Sequence, residues 1–114
     1  MMSACTRDLI HRLEAASEDA AKRLRRAKDR SIAETGSTLA LRASGIVVAI
    51  VLKRPHEEVD ADVKRLLRSY IRLEFAATRS RLPIADRAAI TIARALADQV
   101  SMALGRQQSP VIDG

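Results

Sequence analysis

Histidine and cysteine side chains are the common ligands of zinc, and this chain has few of them. Its histidines are His11 and His56, and its one cysteine is Cys5. The run His56-Glu57-Glu58 resembles the start of the zinc-protease helix motif, but the second histidine of that motif is missing. No ligand spacing typical of zinc occurs. We therefore expect no bound metal.

Nucleophilic catalysis requires a nucleophile beside a base, and many hydrolases place their serine on a glycine-flanked turn. The sequence has no such turn, and its four glycines are too scattered to form a phosphate-binding loop. We expect a protein that is not an enzyme and that uses no cofactor. An enzyme that binds an anionic metabolite through arginines such as Arg42 and Arg94 is the alternative.

A row of arginines is the most suggestive surface feature. Arg65, Arg68, Arg72 and Arg79 fall within a narrow arc of one helical segment, and Phe75 lies beside them. An aromatic ring among guanidinium groups is suited to base stacking or phosphate contact. It is equally suited to a protein interface, where Phe and Arg are enriched. A solvated helix face with Phe75 covered by another helix is the third possibility.

A second basic ridge is predicted on the first helix. Its members are Arg12, Lys22, Arg23, Arg26 and Arg30, with Arg25 and Lys28 close by. The net charge of +6 and the isoelectric point of about 10.4 favour an acidic partner, and nucleic acid is the commonest one. Acidic residues are interleaved with the basic ones, which dilutes the potential. The pattern also lacks the polar recognition helix of a helix-turn-helix protein.

Two charged residues fall where the helical periodicity expects apolar ones. They are Arg42 in the second helical segment and Glu74 in the third. A buried charge without a partner costs several kcal/mol, so we predict that these two residues form a buried ion pair. Gln99 is expected to extend the network. A contact with a ligand or partner is the alternative role for the pair.

Apolar residues spaced three and four apart predict four helices, over residues 3–34, 37–52, 55–82 and 84–104. Gly36 is the predicted stop of the first helix, Pro55 and Pro83 separate the later ones, and Gly105 is the predicted end of the last. The expected fold is an all-α, four-helix bundle-like domain over residues 1–105, with a long N-terminal helix. Residues 106–114 show no periodicity and are expected to form a flexible tail.

The predicted inner faces follow from the same spacing. On the first helix they comprise Leu9, Leu13, Ala16, Ala20, Leu24 and Ala27. On the third they comprise Val59, Val63, Leu66, Tyr70, Leu73 and Ala77. On the fourth they comprise Ala85, Ala88, Ala89, Ile92, Ala95, Leu96, Met102 and Ala103.

The second helix, residues 37–52, is apolar or small on nearly every side. Its β-branched run Ile46–Val51 also suits a strand, but no second segment is available to pair with one. We therefore predict a largely buried helix. Three amphipathic neighbours do not cover it on every side, which favours a homo-oligomer. Ala40 and Ser44, then Gly45 and Ala49, are small pairs that permit close approach of another helix.

The composition limits the remaining possibilities. The chain has 114 residues, the size of one domain, and its only aromatic residues are Phe75 and Tyr70, so the core must consist of Ala, Leu, Ile and Val. A single cysteine, the lack of a signal-peptide pattern and an apolar stretch of only about ten residues indicate a cytoplasmic protein without a membrane span. Association with a membrane surface is the least favoured option.

These patterns favour a non-enzymatic helical protein–protein interaction module, an adaptor, regulator or inhibitor that forms a homo-oligomer. The alternative is a nucleic-acid-binding protein that uses the arginine-rich faces of the first and third helices. In either case the predicted contact residues are Arg23, Arg26, Arg30, Arg65, Arg68, Arg72, Phe75 and Arg79.

Overall fold

The apolar periodicity is realised as four α-helices and no strand across residues 2–108, which are the residues that the computed structural model describes. The helices are α1 (Ala4–Leu24), α2 (Arg30–Val51), α3 (His56–Arg79) and α4 (Ile84–Gln108). The predicted all-α, four-helix bundle is confirmed. The β-branched run of α2 is helical, as the lack of a partner strand predicted.

Short turns connect consecutive helices, and each helix packs against two others. α2 and α4 both contact α1 and α3, so α1 and α3 lie diagonally across the bundle. The molecule is elongated, with dimensions of 53 × 26 × 19 Å. The arrangement leaves each helix with an outer face, and it places the α1–α2 and α3–α4 turns at the same end of the bundle.

The predicted first helix is in fact two helices. α1 ends at Leu24, and α2 begins at Arg30 instead of at residue 37. The break occurs because the Asp29 side chain caps α2, accepting hydrogen bonds from the backbone N–H groups of Ser31 at 2.9 Å and Ile32 at 3.4 Å. Gly36, the predicted stop, is a buried residue inside α2. The long N-terminal helix therefore has 21 residues.

α3 is the helix that the sequence predicted best. All six residues of its predicted inner face, from Val59 to Ala77, are buried. It begins at His56, where the carbonyl of Pro55 accepts hydrogen bonds from the N–H groups of Glu58 and Val59. It ends at Arg79, before the turn that contains Arg81 with a φ of 55°. Because α3 has one charged face and one apolar face, only the apolar face can be buried against the other helices.

The predicted inner faces of the other amphipathic helices need correction. Of the face predicted for the first helix, Leu9 and Ala16 on α1 and Ala27 in the following turn are half-buried. The buried residues of α1 are Thr6, Ile10, Leu13, Ser17, Ala20, Ala21 and Leu24. On α4, only Ala89 and Ala103 of the predicted face are buried. The residues of α4 that the prediction missed are Ile90, Ala93, Ala97, Val100 and Leu104, all fully enclosed.

The fourth helix also continues past its predicted end. Gly105 keeps a helical backbone, and α4 runs on to Gln108, so the start of the expected tail belongs to the helix. Residues 109–114, the rest of that expected tail, lie outside the described residues. Gln99, expected on the inner face, is exposed.

The core contains Leu, Ile, Val and Ala, as predicted, and one aromatic residue, Tyr70. The Tyr70 hydroxyl and the Ser17 hydroxyl are buried, and neither makes a hydrogen bond of ordinary geometry within the described part of the chain. Burial raises the pKa of the Tyr70 phenol above its usual value of 10.0, and the neighbouring Ser17 hydroxyl offsets part of that rise. The phenol is thus held in its neutral form.

Candidate interaction surfaces

The predicted burial of α2 holds for one face only. The buried residues of α2 are Ile32, Ala33, Gly36, Leu39, Ala43 and Ile46. The opposite side carries large apolar side chains in solvent, with Leu41 75% exposed and Val51 73% exposed. We call this side the outer face of α2, comprising Leu41, Gly45, Val48, Val51 and Leu52. Within one chain, nothing described covers it.

The apolar residues of the outer face have the spacing found on helices that pair with another helix. Leu41, Gly45, Val48 and Leu52 follow one another at spacings of four, three and four. A Cβ built at Gly45 would meet no described atom of the chain within 4 Å. A glycine inside a helix costs about 1 kcal/mol relative to alanine, and its benefit is close approach by another backbone. Gly45 brings no such benefit within a single chain.

α2 is also the described helix whose length and composition would allow it to cross a membrane. Its 22 residues include a window with a mean hydropathy of 1.3. A core helix of a soluble bundle satisfies the same two criteria. Here α2 packs against α1 and α3, its first two turns contain Arg30 and Glu34, and Arg54 follows its C-terminal end.

The arginine row on α3 is fully at the surface. The row comprises Arg65, Arg68, Arg72 and Arg79, and every member is exposed. Phe75 is 68% exposed beside them, so no other described helix covers its ring. Arg65 Nη1 lies 3.7 Å from Asp62 Oδ1, a loose surface contact that leaves the guanidinium accessible. The predicted combination of an aromatic ring and guanidinium groups is therefore available to a partner.

The residues of the second predicted ridge lie on other elements than the arginine row. Arg23 belongs to α1, Arg26 to the turn that follows, and Arg30 is the first residue of α2. The row lies on α3, which is diagonal to α1 in the bundle. The eight predicted contact residues are thus distributed over three helices and one turn.

Arg23 and Arg26 instead line a cavity at the end of the bundle. We call it the basic end cavity. It lies between the α1–α2 turn and the α3–α4 turn and has a volume of about 770 Å³. Its lining residues are Lys22, Arg23, Arg26, Ala27, Lys28, Asp29, Ser80, Arg81, Leu82, Pro83 and Asp86.

A smaller cavity of about 430 Å³ lies where the start of α1 meets the α2–α3 turn. Its polar lining consists of Arg7, Lys53, Arg54 and His56. The His56 Nε2 atom lies 3.1 Å from the backbone carbonyl oxygen of Leu104, which attaches the start of α3 to α4. The histidine is therefore engaged in holding the bundle together.

The predicted Arg42–Glu74 pair does not form. Arg42 is exposed on α2. Glu74 Oε1 accepts a hydrogen bond from Arg94 Nε at 2.9 Å, and its Oε2 accepts one from the Thr91 hydroxyl at 2.9 Å. The Arg94 and Glu74 side chains are 31% and 28% exposed, so the pair is half-buried. The predicted partner was therefore wrong: Glu74 pairs with Arg94 and Thr91 of α4.

No group of three or more His, Cys, Asp or Glu side chains within residues 2–108 is placed to hold a metal ion. Cys5 is exposed near the start of α1. Comparison of the chain with protein-family models, with curated proteins and with solved structures gives no match. Function is therefore inferred from the surfaces themselves.

Proposed function

We propose that this protein is a non-enzymatic helical interaction module that pairs with a second copy of itself through the outer face of α2. The paired bundles present their remaining helix faces to another macromolecule, in the role of an adaptor, regulator or inhibitor. The observation that carries the proposal is the outer face of α2, where four large apolar side chains surround an open glycine.

An apolar helix face of this kind costs free energy as long as it stays in water. Burial of apolar surface contributes about 25 cal/mol per Å², so covering Leu41, Val48, Val51 and Leu52 favours association. Contiguous apolar patches bordered by polar residues are typical of protein interfaces. The open space at Gly45 permits the backbone of a second helix to come close at the centre of that interface.

Charges at the ends of the face favour a second copy of this chain in the antiparallel orientation. Glu34 lies toward the N-terminal end of α2, and Lys53 and Arg54 follow its C-terminal end. None of the three takes part in an ion pair within residues 2–108. Antiparallel pairing about Gly45 brings Glu34 of each copy toward Lys53 and Arg54 of the other. It also sets the two helix dipoles in opposition, which is favourable.

The test compares two equally exposed residues that receive the same substitution. Leu41 on the outer face is 75% exposed and Ile84 at the start of α4 is 77% exposed. Size-exclusion chromatography at matched concentrations should show a smaller species for Leu41→Asp than for wild type, with unchanged helical circular dichroism. Ile84→Asp should elute with wild type. If Ile84→Asp alone reduces the size, the interface lies on α4 and the proposal is wrong.

A second candidate function is nucleic-acid binding through the arginine row. The observation that favours it is the exposed Phe75 ring next to Arg68, Arg72 and Arg79, an arrangement suited to stacking on bases while contacting phosphates. This surface lies on α3 and is distinct from the outer face of α2. A self-associating bundle would present two copies of it.

A further inference from the structure

We propose that the basic end cavity binds a small organic phosphate. This inference does not rest on self-association, because no residue of the outer face of α2 lines the cavity. The volume of about 770 Å³ falls among the roughly 300 to 1,000 Å³ of ordinary small-molecule sites. The cavity is formed by two turns that are more than fifty residues apart in the sequence.

The lining carries an excess of positive charge. Five of its residues are basic and two are acidic, so the lining has a net charge of +3, compared with +6 for the whole chain. Arg23 is engaged by Asp19 at 3.0 Å. The other four basic residues make no ion pair within residues 2–108, and they are Lys22, Arg26, Lys28 and Arg81.

The two carboxylates of the lining do not cancel this charge. Asp29 is committed to the start of α2, where its Oδ1 accepts a hydrogen bond from the N–H of Ser31 at 2.9 Å, and its Oδ2 lies 3.5 Å from the Ser80 hydroxyl. Asp86 lies in the first turn of α4. Each therefore faces the positive end of a helix dipole. What remains for a ligand is a set of guanidinium and ammonium groups suited to phosphate oxygens.

The backbone at the cavity is fixed in a costly conformation. Arg81 has a φ of 55°, in the left-handed region that favours glycine. Arg81 is the residue just past the C-cap of α3, a position where helices commonly end in this conformation, and Lys53 after α2 has the same one with a φ of 56°. In the α3–α4 turn, glycine would adopt this conformation without strain. The residue there is Arg81, which lines the cavity.

The remaining lining indicates the kind of phosphate. Ala27, Leu82 and Pro83 give the cavity an apolar wall next to its basic groups. An inorganic ion would make no apolar contact with this wall, whereas the carbon skeleton of an organic phosphate would pack against it. Two or more negative charges on the ligand are needed to engage cations from both turns.

Calorimetric titration with inorganic triphosphate, and then with ATP as an organic triphosphate, tests the proposal at near-physiological salt. Wild type should bind both saturably, and ATP more tightly. The double variant Arg26→Ala/Lys28→Ala should bind at least about tenfold more weakly, because charge-assisted hydrogen bonds are lost. The matched double variant Arg42→Ala/Arg106→Ala removes the same charge from exposed residues of α2 and α4 outside the cavity and should bind as wild type does.

Arg81→Gly separates binding from stability. It removes a guanidinium and also relieves the left-handed backbone, so the variant should be as stable as wild type or more stable and yet bind triphosphate more weakly. Equal weakening by both double variants would show non-specific attraction and overturn the proposal. So would an absence of saturable triphosphate binding, including the case in which a single-stranded oligonucleotide binds instead.

Discussion

Gly36 of α2 lies directly against Leu24 of α1. A Cβ at Gly36 would be 2.8 Å from Leu24 Cδ1 and 3.3 Å from Leu24 Cβ, with the Ala21 Cα at 3.6 Å. The Leu24 side chain of α1 thus packs against the α2 backbone at Gly36, shortly after the turn that joins the two helices. The lack of a side chain at Gly36 permits this close packing, and its backbone is helical. The finding explains how a glycine can lie inside a helix that it does not end.

The first prediction follows from this contact. Gly36→Ala should destabilise the protein by up to about 2 kcal/mol, because displacing Leu24 in a packed core costs about 1 to 3 kcal/mol and the better helix propensity of alanine offsets about 1 kcal/mol of it. Urea unfolding at fixed protein concentration measures the change. Gly105→Ala is the control, since no described atom lies within 4 Å of a Cβ at that position, and it should leave stability equal or slightly higher. Equal effects at both sites would contradict the account.

Gly45→Ala should have two opposite effects. Alanine stabilises a helix interior by about 1 kcal/mol relative to glycine, and a Cβ at Gly45 meets no described atom of the chain. The isolated bundle should therefore unfold at a higher urea concentration. Association of two copies should weaken, because the new methyl groups hold the two α2 backbones apart. Sedimentation measures the second effect, and unchanged association would place Gly45 outside the interface.

Removal of the Glu74 carboxylate should cost about 1 kcal/mol, the value expected for a half-buried charged network. Glu74→Ala leaves Arg94 and Thr91 without their acceptor. Thermal or urea unfolding provides the measurement. Arg42→Ala removes an exposed side chain and should change stability by less than about 0.5 kcal/mol. A loss at Arg42 as large as the loss at Glu74 would restore the discarded pairing of these two residues.

Because the Tyr70 phenol is buried, we predict that the protein loses stability in alkali. The pKa of the phenol is raised by burial in the folded state, whereas in the unfolded state the phenol ionises near 10.0. Below that pH the neutral phenol is present in both states, and its contribution is complete. As the pH rises above 10, the unfolded state loses its proton first, so stability falls until the folded-state pKa is passed.

Tyr70 is the only tyrosine, so the phenolate absorbance of the native protein reports this group alone. The absorbance should appear at a higher pH in native protein than in urea. Tyr70→Phe should flatten the alkaline part of the stability profile that remains after lysine ionisation is subtracted. Coincident titration of native and unfolded protein would show that the phenol is not buried.

Arg68→Glu/Arg72→Glu tests the nucleic-acid alternative. If the arginine row binds nucleic acid, wild type should bind a fluorescent single-stranded oligonucleotide with an affinity that falls steeply as salt increases. The double variant should then lose binding and keep its helicity, since both residues are exposed. As a control, Arg42→Glu/Arg106→Glu reverses the same charge at exposed residues of α2 and α4. Salt-independent binding, or an equal loss in both variants, would exclude the row as the site.

The agreement between sequence and structure depends on how sharply each helix is amphipathic. α3 has one clearly charged face and one clearly apolar face, so its buried face was correctly predicted. α4 is rich in alanine on several faces, and the large residues Ile92 and Met102 suggested the wrong side. In the structure, Ala93 and Ala97 are buried and Ile92 is 56% exposed, because small side chains let α4 lie close to both α1 and α3.

The turns account for what the periodicity could not predict. Apolar spacing continues across the α1–α2 turn, so only the Asp29 cap reveals the break. The basic end cavity depends on Arg26 and Arg81 lying at the same end of the bundle, which no local pattern encodes. The same holds for the pairing of Glu74 with Arg94, where the sequence indicated a charge needing a partner but offered several arginines.

The solution mass of the wild-type protein tests the central proposal most directly. Sedimentation equilibrium over a wide range of protein concentration should give a reversible species of twice the 12.5 kDa chain mass, and the Leu41→Asp variant should shift it toward the single chain. A wild-type mass of 12.5 kDa at every concentration would contradict pairing through α2. If that single chain also sedimented with lipid vesicles, the outer face of α2 would belong to a membrane contact instead.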